Sequence, residues 1–187
     1  MANMCSFSIK VKGDKESVKT FLECLEQKGK YGDHELVWVG RGCELYCDFD
    51  EEYDEKTQTI FTEGCCKWSI ESSMINNAIS MREEPHKWAG LVEGTYYPTI
   101  FECAKELGVQ FEAYSTEPSC CFAEHIGLID GIGQINETTN YDEIWIEDYE
   151  TLEECQKEHP EVTQEDWDES DGSIIEVGGF DTSVWNL

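Results

Sequence analysis

Charge is the feature that most limits what this chain can become. Of its 187 residues, 41 are Asp or Glu and 13 are Lys or Arg, a formal net charge of −28 at pH 7. Self-repulsion on that scale opposes every compact state, so a fold must come from apolar patterning strong enough to overcome it. The charge is also uneven. Residues 1–30 carry six Lys against four acids, and the remainder carries seven basic against 37 acidic residues. Residues 142–187 alone hold 16 acids and one Lys. A field of this kind steers a protein onto a basic partner surface; solubility or a salt-adapted host is the plainer reading of the same numbers. Phosphates would be repelled and no basic stripe is present, so direct nucleic-acid binding is not expected.

The apolar patterning is sufficient. Hydrophobic residues make up 40% of the chain and aromatics 12%, a globular composition rather than a disordered one. No stretch approaches the roughly 20 apolar residues that span a bilayer. Residues 1–10 lack the apolar run of a signal peptide, which leads us to expect a cytoplasmic protein that does not engage membranes.

Local signals order the elements. Phe7, Ile9 and Val11 alternate as in a half-buried strand over 4–11. Gly13-Asp14 turns the chain, and Asp14 caps a helix with the stripe Val18, Phe21, Leu22 and Leu25, with Gly29 placed for a left-handed cap. Residues 35–39 and 44–49 read as strands, 48–55 as an acidic hairpin loop, and 66–72 as a strand with Trp68 and Ile70 on one face. Residues 74–97 form an ordered insertion. Pro98 opens a second helix with the stripe Ile100, Cys103, Ala104 and Leu107, closed by Gly108. Val109, Phe111 and Ala113 alternate, Glu117-Pro118-Ser119 turns, and 121–129 and 141–146 are further strands; Gly131-x-Gly133 reads as a turn. Thr151-x-x-Glu154 is a capping box before a short helix that stops at Pro160. The acidic stretch beyond is a docking lobe or a solvated face.

The order strand–helix–strand–strand–helix–strand is the split βαβ pattern. The expected fold class is therefore α+β, an antiparallel sheet with two helices on one face, ferredoxin-like and extended by extra strands. Residues 1–135 would form this domain, and 136–187 an acidic C-terminal extension packed on or beside it.

Ten cysteines supply the only site chemistry with positional content. Cys43-x3-Cys47 precedes Cys65-Cys66 across the acidic loop, and Cys120-Cys121-x3-His125 forms a second cluster. Thiolates with one imidazole suit a tetrahedral, structural zinc ion, and in a reducing compartment clustered thiols bind metal or are simply buried. Cys24 and Cys103, each on a helix, read as packed thiols. Catalytic signatures are missing: there is no Gly-x-Ser-x-Gly elbow, phosphate-binding loop or His-Glu-x-x-His. An enzyme is not expected.

Three blocks carry a family resemblance. Met1-Ala2-Asn3 to Cys5 with Val11-Lys12-Gly13-Asp14-Lys15 resembles the opening of YubB-like ferredoxin-fold proteins of phages and mobile elements. Gly64-Cys65-Cys66-Lys67-Trp68-Ser69-Ile70 through Met74 resembles their central strand. Tyr114-Ser115-Thr116-Glu117-Pro118 with Phe122-x-Glu124-His125 resembles the strand pair after their second helix. Met4 stands where the family tends to have Trp, Cys120-Cys121 replaces a small or Met-containing pair, and the acidic remainder matches no part of the family. The resemblance implies a fold and a mobile-element origin, hence the cytoplasm of a bacterial host; it does not imply an activity.

A phage protein of this charge also looks like an anti-CRISPR protein, which would bind a host RNA-guided DNA nuclease (a type II CRISPR effector) and block DNA loading into its positively charged channels. The carboxylates expected to face that partner are Asp48, Asp50, Glu51, Glu52, Asp54 and Glu55 in the first stretch. In the second they are Asp142, Glu143, Glu147, Asp148, Glu165 and Asp166, with Trp145, Tyr149 and Trp167 as aromatic anchors. The alternatives are an acidic decoy or accessory protein of a mobile element that binds another basic host protein, and a zinc or thiol enzyme.

Overall fold

The alternation around Phe7 does build the first strand: in a computed structural model of the chain, Cys5, Phe7, Ile9 and Val11 are all buried on one side of β1 (Met4–Lys12). The structure describes residues 3–40, 42–88, 91–117, 120–170 and 174–187. After β1 come α1 (Lys15–Leu25), β2 (Leu36–Val37), β3 (Glu44–Leu45), α2 (Phe49–Glu52) and β4 (Thr59–Lys67). They are followed by α3 (Asn77–Glu83), β5 (Thr95–Tyr96), α4 (Ile100–Leu107), β6 (Gln110–Glu117) and β7 (Phe122–Ile129). β8 (Gly133–Trp145), α5 (Leu152–Glu158), α6 (Gln164–Glu169) and β9 (Ile174–Gly178) complete the chain.

The molecule is α+β. A large antiparallel sheet has the order β3-β4-β1-β6-β7-β8-β9, and β2 and β5 form a separate parallel pair. One face is covered by α1 and α4. Phe21 of α1 and Phe101 of α4 both pack on Phe111 of β6, with ring centroids 5.6 and 5.7 Å apart. Cys24 of α1 and Cys103 of α4 are both buried. Burying this apolar face supplies the main driving force against the charge.

Caps behave as the local code demands. Asp14 accepts from the Ser17 amide at 3.0 Å to start α1. Thr99 and Glu102 form a full capping box on α4, which Gly108 ends in the left-handed region at φ 67°. At α5 Thr151 accepts from the Glu154 amide, but the Glu154 carboxylate reaches the Glu150 amide instead of closing the box.

Several expectations are corrected. After α1 the left-handed residue is Gln27 (φ 67°), not Gly29; Gly29 is needed for close approach, since a Cβ there would lie 2.3 Å from Cys24 Sγ. The acidic hairpin loop contains a helical turn, α2, capped by Asp48. The central strand runs over Thr59–Lys67 instead of 66–72, with Ile60, Thr62, Gly64 and Cys66 inward. At Trp68 the backbone turns left-handed (φ 73°), leaving Trp68 half exposed and Ile70 buried rather than side by side. The cause is Glu124, whose buried carboxylate accepts from the Ile70 amide at 2.7 Å, the Glu71 amide at 3.0 Å and Ser115 Oγ at 2.6 Å. Those hydrogen bonds draw the segment into a helical turn, continued by a π-helical stretch (Ser72–Asn76) into α3. β8 begins eight residues before Tyr141. Pro118 and Ser119 of the expected turn, and Met1 and Ala2, lie outside the described residues.

Beyond β8 the described residues are folded. Ile144, Ile146, Cys155, Val162 and Ile175 form a second small core, with Tyr149, Leu152, Trp167 and Val177 packed against it. Among the described residues no helix is long and apolar enough to cross a membrane.

Candidate functional site: a roofed cleft and an acidic lobe

The sheet face turned away from α1 and α4 carries the second set of alternating side chains: Ser6 and Ser8 of β1, Glu63 of β4, Tyr114 and Thr116 of β6. They line a cleft of about 390 Å³ together with Tyr46, Tyr141 and a roof of Gly178, Gly179, Phe180 and Thr182. Gly178 and Gly179 sit at φ 94° and 77°, a conformation that swings the chain from β9 back over the sheet at low cost. The last residues then run as a strap across the same face. Trp185 packs edge-on against Tyr114 at 4.9 Å and Phe61 at 5.4 Å, and Lys10 Nζ donates to the Leu187 main-chain oxygen.

A buried carboxylate latches the strap. Glu112 is fully buried; its Oε2 accepts from the Asn186 amide at 2.6 Å, and its Oε1 from Asn186 Nδ2 at 2.6 Å. Oε1 also lies 2.9 Å from His125 Nε2 and 3.2 Å from the Tyr114 hydroxyl. Gly127 stands opposite Glu112 in register, so no side chain of β7 competes for the space. Burial pushes the Glu112 pKa up, yet the donors on Asn186, His125 and Tyr114 outweigh it and hold the carboxyl below its ordinary range. Burial and the adjacent Glu112 charge push Tyr114 up to about 12. The phenol therefore stays protonated at neutral pH.

His125 is stacked on Tyr114 at 4.4 Å and flanked by Phe180 at 5.5 Å, while its Nδ1 lies 3.6 Å from Glu137 Oε2. The imidazole is held between two carboxylates and two rings, and neither it nor Glu112 lines the cleft. The arrangement positions the strap. The cleft itself offers hydroxyls, aromatic rings and one exposed carboxylate, Glu63, and its lining holds neither thiol nor imidazole.

The remaining expected metal ligands are dispersed. Cys65 and Cys66 are adjacent on β4 and so point to opposite faces; Cys65 accepts from the Tyr46 hydroxyl at 3.0 Å, and Cys66 is buried opposite Cys5. Cys43 is buried, Cys47 and Cys121 half-buried, and Cys120 exposed. Among the described residues no three His, Cys, Asp or Glu side chains stand where they could hold a metal ion together. The Cys5 thiol and burial push Cys66 up, burial pushes Cys43 and Cys47 up, and the Glu117 carboxylate pushes Cys120 up. These thiols keep their protons, the opposite of an activated nucleophile.

The expected partner-facing carboxylates separate into two populations. In the first stretch, Asp48, Asp50, Glu51, Glu52, Asp54 and Glu55 are exposed, but four of them serve local structure. Asp48 caps α2, Glu52 accepts from the Asp48 amide, Asp54 from the Lys56 amide, and Glu55 pairs with Lys15 at 3.1 Å. In the second stretch Asp142, Glu147, Asp148 and Glu165 are exposed, Glu143 and Asp166 half-buried, and Asp166 closes a capping box on α6. Trp145 is half exposed, whereas Tyr149 and Trp167 pack on the small core. β3 and β8 stand five spacings apart in the sheet order, roughly 24 Å, so the two stretches do not form one patch.

Sequence reasoning missed Glu112, Glu124 and the strap. Carboxylates in strands with alternating apolar neighbours were the available signal, since an acid there needs a buried partner. No protein-family model, curated protein or solved structure matches this chain.

Proposed function

We propose that the chain acts by binding a cationic protein surface through its C-terminal lobe, and that the partner is a host RNA-guided DNA nuclease kept from loading DNA. One observation carries the reading. The lobe displays its carboxylates on folded elements with no Lys or Arg paired to them: among the described residues the Lys and Arg ion pairs are Lys15–Glu55, Lys28–Glu26, Arg82–Glu102 and Lys87–Glu84, all outside it, and within it His159 lies 3.7 Å from Glu161. A fixed negative field on an ordered surface accelerates encounter with a basic partner and fixes its orientation. Half-exposed Trp145, at the end of β8, is the aromatic anchor.

The nuclease reading draws on chemistry of the same sign. Such enzymes hold heteroduplex and displaced strand in positively charged channels, where a carboxylate surface competes with phosphates. A ferredoxin-like reading of the fold is supported by the order β6-β1-β4-β3 with α1 and α4 on one face, to which β7, β8 and β9 would be additions. The mobile-element origin rests on the three sequence blocks.

The test is capture of the purified nuclease by the full chain at low and moderate salt, with DNA cleavage as readout. Capture that weakens with salt, and falls at least about tenfold when Asp142, Glu147, Asp148 and Glu165 are all changed to their amides, is expected. Absence of binding at either salt, or binding indifferent to those four changes, overturns the reading.

A further inference from the structure

Along Gly133–Asn140, β8 pairs with β7 on one edge. β9 pairs only with Tyr141–Trp145. Among the described residues the other edge of β8 over 133–140 therefore carries no strand. Such an edge presents a row of unpaired N–H and C=O groups, which proteins usually blunt with short strands, Lys, Pro or a bulge. The opposite end of the sheet follows that practice, since β3 is two residues long. The β8 edge does not. Its sequence, Gly-Gln-Ile-Asn-Glu-Thr-Thr-Asn, has no Lys or Pro and a single charge, in a chain of which 29% is charged. That charge, Glu137, faces His125 across the sheet at 3.6 Å. All eight residues are exposed except Ile135 and Thr139, which are half-buried.

We infer that this edge is a strand-addition site for an extended, Lys- or Arg-bearing segment of the partner protein. The inference rests on the cationic-partner reading above and deepens it. Main-chain hydrogen bonds would supply affinity without reading side chains, and the acidic run that begins at Asp142 continues directly from the edge. That charge selects the occupant. A second copy would bring another formal charge of −28 alongside the first, whereas a basic strand is drawn in by the same field. The neutral run is where hydrogen bonds form, and the lobe beside it attracts.

The probe is a blocked synthetic peptide of alternating lysine and valine, about eight residues long to match the edge, alongside the same peptide N-methylated at alternate residues. N-methylation keeps the charge and removes main-chain donors. Hydrogen exchange of the intact protein should show protection of the 133–140 amides by the first peptide, and the methylated peptide should bind at least about tenfold more weakly. Equal affinity of the two without protection overturns strand addition and leaves the cationic reading standing. Failure of both peptides to bind at low salt overturns strand addition as well, while nuclease capture still judges the other reading separately. Protection that grows with protein concentration in the absence of peptide, together with dimer in sedimentation, assigns the edge to a second copy and overturns it too.

Discussion

The helix-covered part of the sheet and the C-terminal lobe meet the same charge problem with very different means. In the first, β1, α1, β4, α4, β6 and β7 all contribute to one buried cluster, and Phe21, Phe101 and Phe111 meet at its centre. In the second, five buried side chains hold two short helices and a strand, on a segment with 16 acids and one Lys between residues 142 and 187. A unit of 46 residues, 142 to 187, buries too small a share of its surface to be more than marginal by itself. The lobe is therefore folded because β8 extends into it and because the strap ties its far end to Glu112. Charge is concentrated where packing is thinnest, which suits a display surface and makes the lobe the least stable part.

That contrast can be broken most severely at the large core. Phe111→Ala removes the ring on which both helices rest and should cost about 4 kcal/mol. Denaturant unfolding would show both regions lost together, because the lobe has no separate support. Ile144→Ala acts on the small core, at about 3 kcal/mol. Hydrogen exchange should then reveal unprotected amides over 144–178 while those of β1 and β6 remain protected. Uniform loss of protection in this variant would mean that the two regions form one cooperative unit, and the contrast would fail.

The strap is the finest test. The lowered Glu112 pKa means that its contribution is present above the ordinary carboxylate range, about pH 4.3, and is lost as pH falls through the lowered value. The groups facing it are His125, Tyr114, Asn186 and, opposite in register, Lys10, with Glu137 beyond the imidazole. Acidification should release the strap, seen as a change in the Trp185 indole resonance. Glu112→Gln should do the same at neutral pH, costing about 2 kcal/mol. A Trp185 signal left unmoved by Glu112→Gln at neutral pH would show that the latch holds nothing.

Much of the frame was legible because its signals are local. Phe7, Ile9 and Val11 give β1, Asp14 starts α1 and Gly108 stops α4, all within a few residues of the groups they act on; Pro98 reads as the start of α4, whereas Thr99 caps it and the helix begins at Ile100. The acidic character of 48–55 and 142–170 was equally plain. Its use was not: the sequence does not show that Asp48, Glu52, Asp54 and Glu55 are occupied with caps and an ion pair, nor that the two stretches lie at opposite ends of the sheet. The thiol clusters misled for a related reason. Adjacent Cys65 and Cys66 look like paired ligands in a linear reading, yet a strand sends neighbours to opposite faces.

Periodicity, capping and charge balance thus determined by themselves that this chain forms an α+β molecule with two amphipathic helices and a strongly negative exterior. Only the tertiary structure decided where the central strand ends, how the polar run 133–140 becomes a strand, and which face the final residues cover. Those outcomes depend on pairings across the chain. Glu124 finds its amide 54 residues away and Glu112 finds Asn186 at a separation of 74. A buried carboxylate must obtain its donors wherever the fold brings them, and nothing adjacent to it in the chain reveals which they are.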